Sequence, residues 1–148
     1  MTQLLTTGEK LVLLKASPIF RDVPLRDLRA VSEHVELLRY EAGEPVFRKG
    51  DPPEFLYVVN TGRVAIEQRK APPLQIAELG RGEVFGEMAL LSREKHRRSA
   101  VAVTAATVLA FEGETFLRLA SRHPEILIGL SRVLAERLDH ADRWLQRS

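Results

Sequence analysis

Residues 85–100 read FGEMALLSREKHRRSA, and this stretch carries the groups needed to hold a phosphate beside a sugar. An apolar strand ends at Phe85, and Glu87 then opens a short helical turn whose first amide N–H groups have no partner inside the turn. The missing side chain at Gly86 lets the backbone approach a ligand closely. Arg98 and Ser99 return from the following loop with a guanidinium fork and a hydroxyl, both suited to phosphate oxygens. The stretch therefore predicts an anion site, with Glu87 placed to bind a neighbouring sugar hydroxyl.

This stretch resembles the phosphate-binding cassette of the cyclic-nucleotide-binding domains found in catabolite-activator-type regulators, kinase regulatory subunits and gated channels. The cassette there reads F-G-E-x-A-L, followed after a loop by R-[ST]-A. The matching residues here are Phe85, Gly86, Glu87, Ala89 and Leu90, then Arg98, Ser99 and Ala100. The resemblance implies that Arg98 binds the cyclic phosphate and that Glu87 binds the ribose 2′-hydroxyl.

The resemblance extends over nearly the whole chain. The family's G-[DE]…Y-x-[IV]…G-x-[VL] hairpin is matched by Gly50-Asp51, Tyr57-Val58-Val59 and Gly62-Arg63-Val64. One departure lies in the loop before Arg98. Family loops are often shorter there and carry Gly or Pro near the arginine, whereas residues 92–97 contain neither. The departure makes Arg97 a competitor of Arg98 for the phosphate.

The predicted ligand-binding residues are Val84, Phe85, Gly86, Glu87, Met88, Ala89, Arg98, Ser99 and Val101. Val84, Met88 and Val101 would line the sugar and base pocket, and their alternative is a place in the ordinary apolar core. The alternative for Glu87 is an acid that stabilises a helix start. For Arg98 the alternative is a surface salt bridge with Glu83 or Glu94, which would contribute little.

Ser99 has three interpretations. Its hydroxyl binds the phosphate, or it reaches a purine amino group, or it faces solvent at the start of a strand. The resembling family uses serine or threonine here with either base, so Ser99 does not separate adenine from guanine. We favour cyclic AMP over cyclic GMP as the ligand, without deciding between them from Ser99.

The pattern along the chain predicts a mainly β fold with flanking helices, in which about eight short strands form a jelly-roll or a small barrel. The resemblance implies an eight-stranded β jelly-roll (double-stranded β-helix) between amino-terminal helices and a carboxy-terminal lid helix. A single domain is expected over 1–148, with helices in 1–34, the jelly-roll in 35–111 and helices again in 112–148. Eight strand segments are expected at 36–40, 45–48, 55–60, 63–68, 74–79, 83–85, 99–104 and 107–111. Turn residues separate them at 43, 50–53, 60–62, 71–73 and 80–82.

Pro124 opens the last helix, which is expected to reach almost to Ser148. Its apolar residues recur every three or four positions and form one stripe, which must be covered. The stripe comprises Leu127, Leu130, Leu134, Leu138, Ala141 and Leu145. In the resembling family this element moves over the nucleotide as a lid and, in dimeric members, pairs with its twin. Trp144, the single tryptophan, would stack on the base, lie in a dimer interface or pack on the protein's own surface.

Composition excludes several classes of protein. The chain has no cysteine, which removes disulfides, thiolate catalysis and cysteine-ligated metal centres. Its four histidines, 34, 96, 123 and 140, lack the H-x-H and H-E-x-x-H spacings, so no metal site is expected. A net charge of +2 gives no reason to expect a nucleic-acid or membrane surface. No secretory or membrane-spanning segment is recognisable, and a cytoplasmic location is the default.

Together with these observations, the resemblance implies a regulatory domain that binds a cyclic mononucleotide, has no catalytic residues and signals through movement of its last helix. The output would require a protein partner or a fused domain, because no output domain is recognisable in these 148 residues. A homodimer through the last helix is a further expectation. Two alternatives stay open: a degenerate fold that acts as a ligand-free protein-interaction module, and a cupin-like enzyme, which the histidine spacing disfavours.

Overall fold

Our computed structural model describes residues 5–68 and 74–147, the last four of them by their backbone alone. Two helices precede the strands, α1 (Thr7–Ala16) and α2 (Leu25–Ser32). Thr6 and Glu9 form a capping box at the start of α1, in which each side chain accepts a hydrogen bond from the other residue's amide at 3.1 Å. The box satisfies amide groups that a helix start otherwise leaves unpaired. The predicted amino-terminal helices are confirmed.

Eight strands follow in the described residues, as the sequence pattern predicts. They are β1 (Val35–Tyr40), β2 (Pro45–Phe47), β3 (Phe55–Thr61), β4 (Val64–Gln68), β5 (Leu74–Leu79), β6 (Val84–Phe85), β7 (Ser99–Ala102) and β8 (Ala106–Glu112). A short helix, α3 (Glu87–Ser92), lies between β6 and β7. The strands form two four-stranded antiparallel sheets with the orders β1-β8-β3-β6 and β2-β7-β4-β5. The jelly-roll is therefore confirmed; the turn predicted at 71–73 lies outside the described residues.

Strand β3 shows why the core has two parts. Its residues 56–60 are buried in succession, because both faces of this strand are covered. Tyr57 and Val59 face the interior between the two sheets, whereas Leu56 and Val58 face the layer of helices on the outside. The strand therefore has a continuous apolar sequence rather than an alternating one.

After β8 the described residues form two helices, α4 (Gly113–Arg122) and α5 (Pro124–Arg147). Helix α5 crosses the segment after α1 so closely that a Cβ atom at Gly129 would lie 2.5 Å from the Pro18 carbonyl oxygen and 2.6 Å from that of Ile19. Real Cβ contacts are not this short, so the crossing requires glycine.

The buried face of α5 differs from the predicted stripe. Ile126, Leu130 and Val133 are buried against the domain, whereas Leu127 and Leu138 are 48% and 69% exposed. Both faces of this helix are apolar, and spacing alone does not say which of them meets the domain. The position of the crossing at Gly129 decides it. Trp144 belongs to α5, but its side chain lies outside the described part of the chain.

Candidate functional site

The first arm of the site is the turn from β6 into α3. Gly86 has a φ of 89°, in the left-handed region that favours glycine. A Cβ atom there would lie 3.0 Å from the Phe55 carbonyl oxygen and 3.1 Å from the Tyr57 ring. The glycine is thus required by the backbone and by the packing on β3, in addition to the ligand approach that the sequence suggests. Phe85 stacks on Tyr57 at 4.9 Å and belongs to the core between the sheets.

Glu87, at the start of α3, is a buried carboxylate with 1% exposure. Its Oε1 is in direct contact with Nη1 of Arg137, an ion pair that joins α3 to α5. Nη2 of the same arginine donates to the carbonyl oxygen of Val84. Apart from this ion pair, neither oxygen of Glu87 has a hydrogen-bond partner among the residues that the structure describes. A buried carboxylate with free acceptor positions is costly unless hydrogen-bond donors meet it.

Sequence reasoning missed Arg137 as a site residue. Burial lowers the pKa of its guanidinium to about 10, an effect that the nearby Glu83 partly offsets. This pKa is still far above neutral pH, so the side chain is charged and is the counter-ion of Glu87. A signal was present: Arg137 continues the spacing of the buried residues Leu130 and Val133, where an apolar side chain would be expected.

The second arm is the loop from α3 into β7, which presents two successive arginines. Arg97 is bound to Glu94 at 2.9 Å and is 82% exposed. Arg98 is also exposed, and it forms no hydrogen bond or ion pair with another described residue. The surface salt bridge considered as its alternative is absent from this part of the chain: Glu94 is taken by Arg97, and Glu83 accepts from the Gly80 amide at 2.6 Å. Of the two arginines, Arg98 is the one left available for an anion.

Ser99 does not face solvent, contrary to the third of its interpretations. It is fully buried, and its Oγ accepts a hydrogen bond from the amide of Lys49 at 3.0 Å. Because a hydroxyl can accept and donate together, its O–H remains available as a donor. Ser99 therefore links the second arm to the loop after β2 without losing its capacity for a phosphate oxygen.

The remaining predicted residues divide between core and surface. Val84 and Ala89 are buried, Val101 is half-buried and Met88 is 62% exposed. Contacts join Val84, Glu87 and Arg137 directly. No hydrogen bond or ion pair between described residues joins Glu87 to Arg98; the two arms are connected through Phe47, whose ring lies 6.0 Å from Phe85 and 3.6 Å from His96.

A cavity of about 530 Å³ lies elsewhere, beyond the carboxyl end of α3, and it is lined by Glu54, Leu90, Arg93, Gly113 and Leu117 among others. It shares none of the predicted ligand-binding residues, so we do not assign the nucleotide to it. Within 5–68 and 74–147, no group of three or more metal-ligating side chains is present. None of the described helices combines the length and hydropathy required to cross a bilayer.

A two-sheet jelly-roll with a glycine turn, a buried acid and an arginine that has no partner among the described residues, on two adjoining arms, defines a small-ligand sensor domain of the cyclic-nucleotide-binding type. The family model described as cyclic nucleotide-binding domain matches residues 37–123. The chain belongs to this family, and the match contains both arms of the site.

The relatives agree with this assignment. The chain is 34% identical over 131 residues to the cyclic AMP receptor protein of Thermus thermophilus, a match that covers 87% of this chain and 61% of that protein. The crystal structure of the Thermus thermophilus catabolite activator protein superposes with a TM-score of 0.79 at 34% identity, over 88% of this chain and 62% of the other. The chain therefore spans about three fifths of the length of these relatives.

The fold is shared more widely. The regulatory domain of Toxoplasma gondii PKA, crystallised with cAMP, superposes with a TM-score of 0.78 at 21% identity, over 88% of this chain and 50% of that one. Together, the family match and these structures confirm the resemblance drawn from residues 85–100.

Proposed function

We propose that this chain is the sensor domain of a regulatory protein and that it binds cyclic AMP in preference to cyclic GMP. Glu87 accepts a hydrogen bond from the ribose 2′-hydroxyl, and Arg98 with Ser99 binds the cyclic phosphate. The observation that carries this proposal is the buried carboxylate of Glu87, which has acceptor positions free of other described residues and lies in the segment matched by the family. A ribose hydroxyl supplies the missing donor.

The signal is proposed to leave the site through α5. Arg137 holds this helix against Glu87 and Val84, which are parts of the ligand-binding arm. A nucleotide that bonds to Glu87 changes the free energy of the ion pair between Glu87 and Arg137. The relative free energies of the alternative positions of α5 therefore differ with and without ligand. Ligand binding therefore shifts a population of helix positions and involves no chemical step. We propose a regulatory role without catalysis, in the cytoplasm.

The exposed surface of α5 indicates a second copy of the chain as a binding partner. Leu127 and Leu138 are exposed, and with Ala141, Leu145 and Leu134, which is half-buried against the core, they keep the spacing of three or four residues that a helix pair uses. We propose a homodimer in which two copies of α5 meet along this face. The output passes to a partner protein or to a further domain, and no direct contact with nucleic acid or a membrane is proposed for these residues.

Calorimetric titration with cyclic AMP and with cyclic GMP tests the binding function. Saturable heat with one site per chain, and tighter binding of cyclic AMP, is the expected result. A melting curve gives an independent reading, since a ligand that binds only the native state at a hundredfold excess over Kd adds about 2.7 kcal/mol of stability. Absence of heat and an unchanged melting temperature with both nucleotides at millimolar concentration would favour the ligand-free interaction module.

A further inference from the structure

His96 is the one buried residue of the loop 93–98, all of which the structure describes. It is 7% exposed, and its imidazole ring stacks on the Phe47 ring of β2 with 3.6 Å between the ring centres and 12° between the planes. The other five side chains of this loop are all charged and exposed. An aromatic contact therefore holds the one buried side chain of a loop whose other side chains lie in solvent.

The backbone of His96 is tied to the loop after β2 in both directions. Its amide donates to the Asp51 carbonyl oxygen at 2.9 Å, and its own carbonyl oxygen accepts from the Gly50 amide at 2.8 Å. The Asp51 carboxylate accepts from the Arg48 amide at 2.8 Å and so closes the turn that presents these groups. Ring and backbone together fix the position of His96.

Arg98 lies between two anchored residues. His96 precedes it, and Ser99, bound by the Lys49 amide at 3.0 Å, follows it. Both anchors attach to the same neighbouring loop, while the Arg98 side chain is exposed. Because the backbone is already fixed, less conformational entropy is lost when the Arg98 guanidinium binds an anion. The affinity for the anion is therefore higher.

We propose that His96 is a positioning residue for ligand binding: its stack on Phe47 sets the loop so that Arg98 is presented to the phosphate. This role rests on the proposed function. Phe47 also contacts Phe85, at 6.0 Å, immediately before the glycine turn of the other arm. The Phe47 ring therefore contacts both arms of the site and fixes their relative position. This contact explains how the loop before Arg98 has a fixed conformation although it contains no Gly or Pro.

Protonation of His96 opposes this position. Burial lowers the pKa of the imidazole, and the Asp51 carboxylate only partly offsets the effect. In the folded arm the proton is therefore bound less readily than in the open loop, so the arm is fully stable above the ordinary histidine pKa of about 6.5 and loses stability as the pH falls below it. The charged residues are Arg48, Lys49 and Asp51 on the facing loop and Arg93, Glu94, Lys95, Arg97 and Arg98 on its own loop.

The test is calorimetric titration of cyclic AMP into the full chain and its variants at about pH 7.5 and about pH 5.5, on either side of the histidine range. His96→Ala should weaken binding about tenfold at the higher pH, the value of one lost aromatic stack. His96→Phe keeps a ring on Phe47 but does not titrate. It should bind within about threefold of the unmodified chain at the higher pH and should lack the loss of affinity that the unmodified chain shows at the lower pH.

His34→Ala, which changes an exposed histidine, is the matched control and should behave as the unmodified chain at both pH values. Circular dichroism reports folding, and His96→Phe alone decides the question if His96→Ala does not fold. The role of His96 is overturned if the unmodified chain binds and His96→Phe has the same pH dependence, or if a folded His96→Ala binds equally well. If the unmodified chain binds neither nucleotide, the proposed function falls and this role with it.

Discussion

Arg137 of α5 contacts the carboxylate of Glu87, the buried acid at the start of α3. The same guanidinium bonds to the Val84 carbonyl oxygen, so one side chain of the last helix meets both the strand and the helix that form the first arm of the site. The element proposed to report binding and the residue proposed to bind ribose are therefore joined by a single ion pair.

Replacing Arg137 by alanine should destabilise the protein, because the Glu87 charge would stay buried without its counter-ion. We expect a loss of about 2–3 kcal/mol in urea denaturation, below the cost for a fully enclosed pair, since the Arg137 side chain is 37% exposed. The double variant Glu87→Gln with Arg137→Ala should recover most of the loss. Arg143→Ala, which breaks an exposed pair with Asp139, should change stability by less than about 0.5 kcal/mol.

The prediction is contradicted if the Arg137→Ala protein has the same free energy of unfolding as the unmodified chain. That result would mean that water reaches Glu87 as soon as the guanidinium is removed, and α5 would then have no energetic link to the site.

Arg98→Ala should weaken cyclic nucleotide binding about a hundredfold or more, because a guanidinium fork on a desolvated phosphate contributes roughly 3 kcal/mol. Arg97→Ala is the matched control: its side chain is exposed and engaged with Glu94, and affinity should change little. Both values come from calorimetric titration at one salt concentration. If instead Arg97→Ala has the large effect and Arg98→Ala the small one, then Arg97 binds the phosphate and the assignment is wrong by one residue.

Movement of α5 should be visible through Trp144, the single tryptophan of the chain. Emission should change on ligand addition with the same Kd that calorimetry gives. Deletion of 137–148 removes Arg137 and should speed ligand dissociation in stopped flow while the jelly-roll stays folded, because the described core residues all precede position 137. If the deletion leaves the ligand dissociation rate unchanged and Trp144 emission in the full chain does not respond to ligand, then α5 does not move on binding.

Gly129→Ala should destabilise the protein although alanine favours helices. The added Cβ would meet the Pro18 and Ile19 carbonyl oxygens at 2.5 and 2.6 Å, and we expect overpacking of about 1–3 kcal/mol to exceed a helix gain of about 1 kcal/mol. In Gly8→Ala the nearest atom is 3.9 Å away, so the same substitution in α1 should leave the melting temperature equal or slightly higher. A Gly129→Ala protein with an equal or higher melting temperature would show that the crossing is loose.

Sedimentation velocity should detect a dimer, and Leu138→Glu should convert it to a monomer by placing a charge on the exposed face of α5. Val12→Glu is the comparison, since Val12 is 64% exposed and belongs to α1 rather than to α5. A chain that sediments as a monomer at all concentrations, or a dimer that Leu138→Glu leaves intact, would remove α5 as the interface.

Local patterns in the sequence were sufficient to predict the eight strands, because each strand follows from a short apolar run bounded by turn residues. At one strand end that differs from the prediction, a local hydrogen bond accounts for the difference. Strand β7 was expected to reach Thr104 but ends at Ala102, and the Thr104 hydroxyl instead accepts from the Arg63 amide at 3.2 Å as the chain turns. The turn of the first arm was predictable for the same reason, because Gly86 adopts a left-handed φ that glycine favours and Glu87 begins α3 directly after it.

The face of α5 that meets the domain, the partner of Glu87 and the place of His96 were decided by tertiary structure alone. Arg137 and Phe47 reach their partners only because α5 crosses at Gly129 and because β2 lies beside the loop before Arg98. A charged residue in a helix stripe, or a histidine in a charged loop, has the same local pattern whether it is buried or exposed. Burial depends on which surface packs against it, and that is set by the whole chain rather than by its neighbours in sequence.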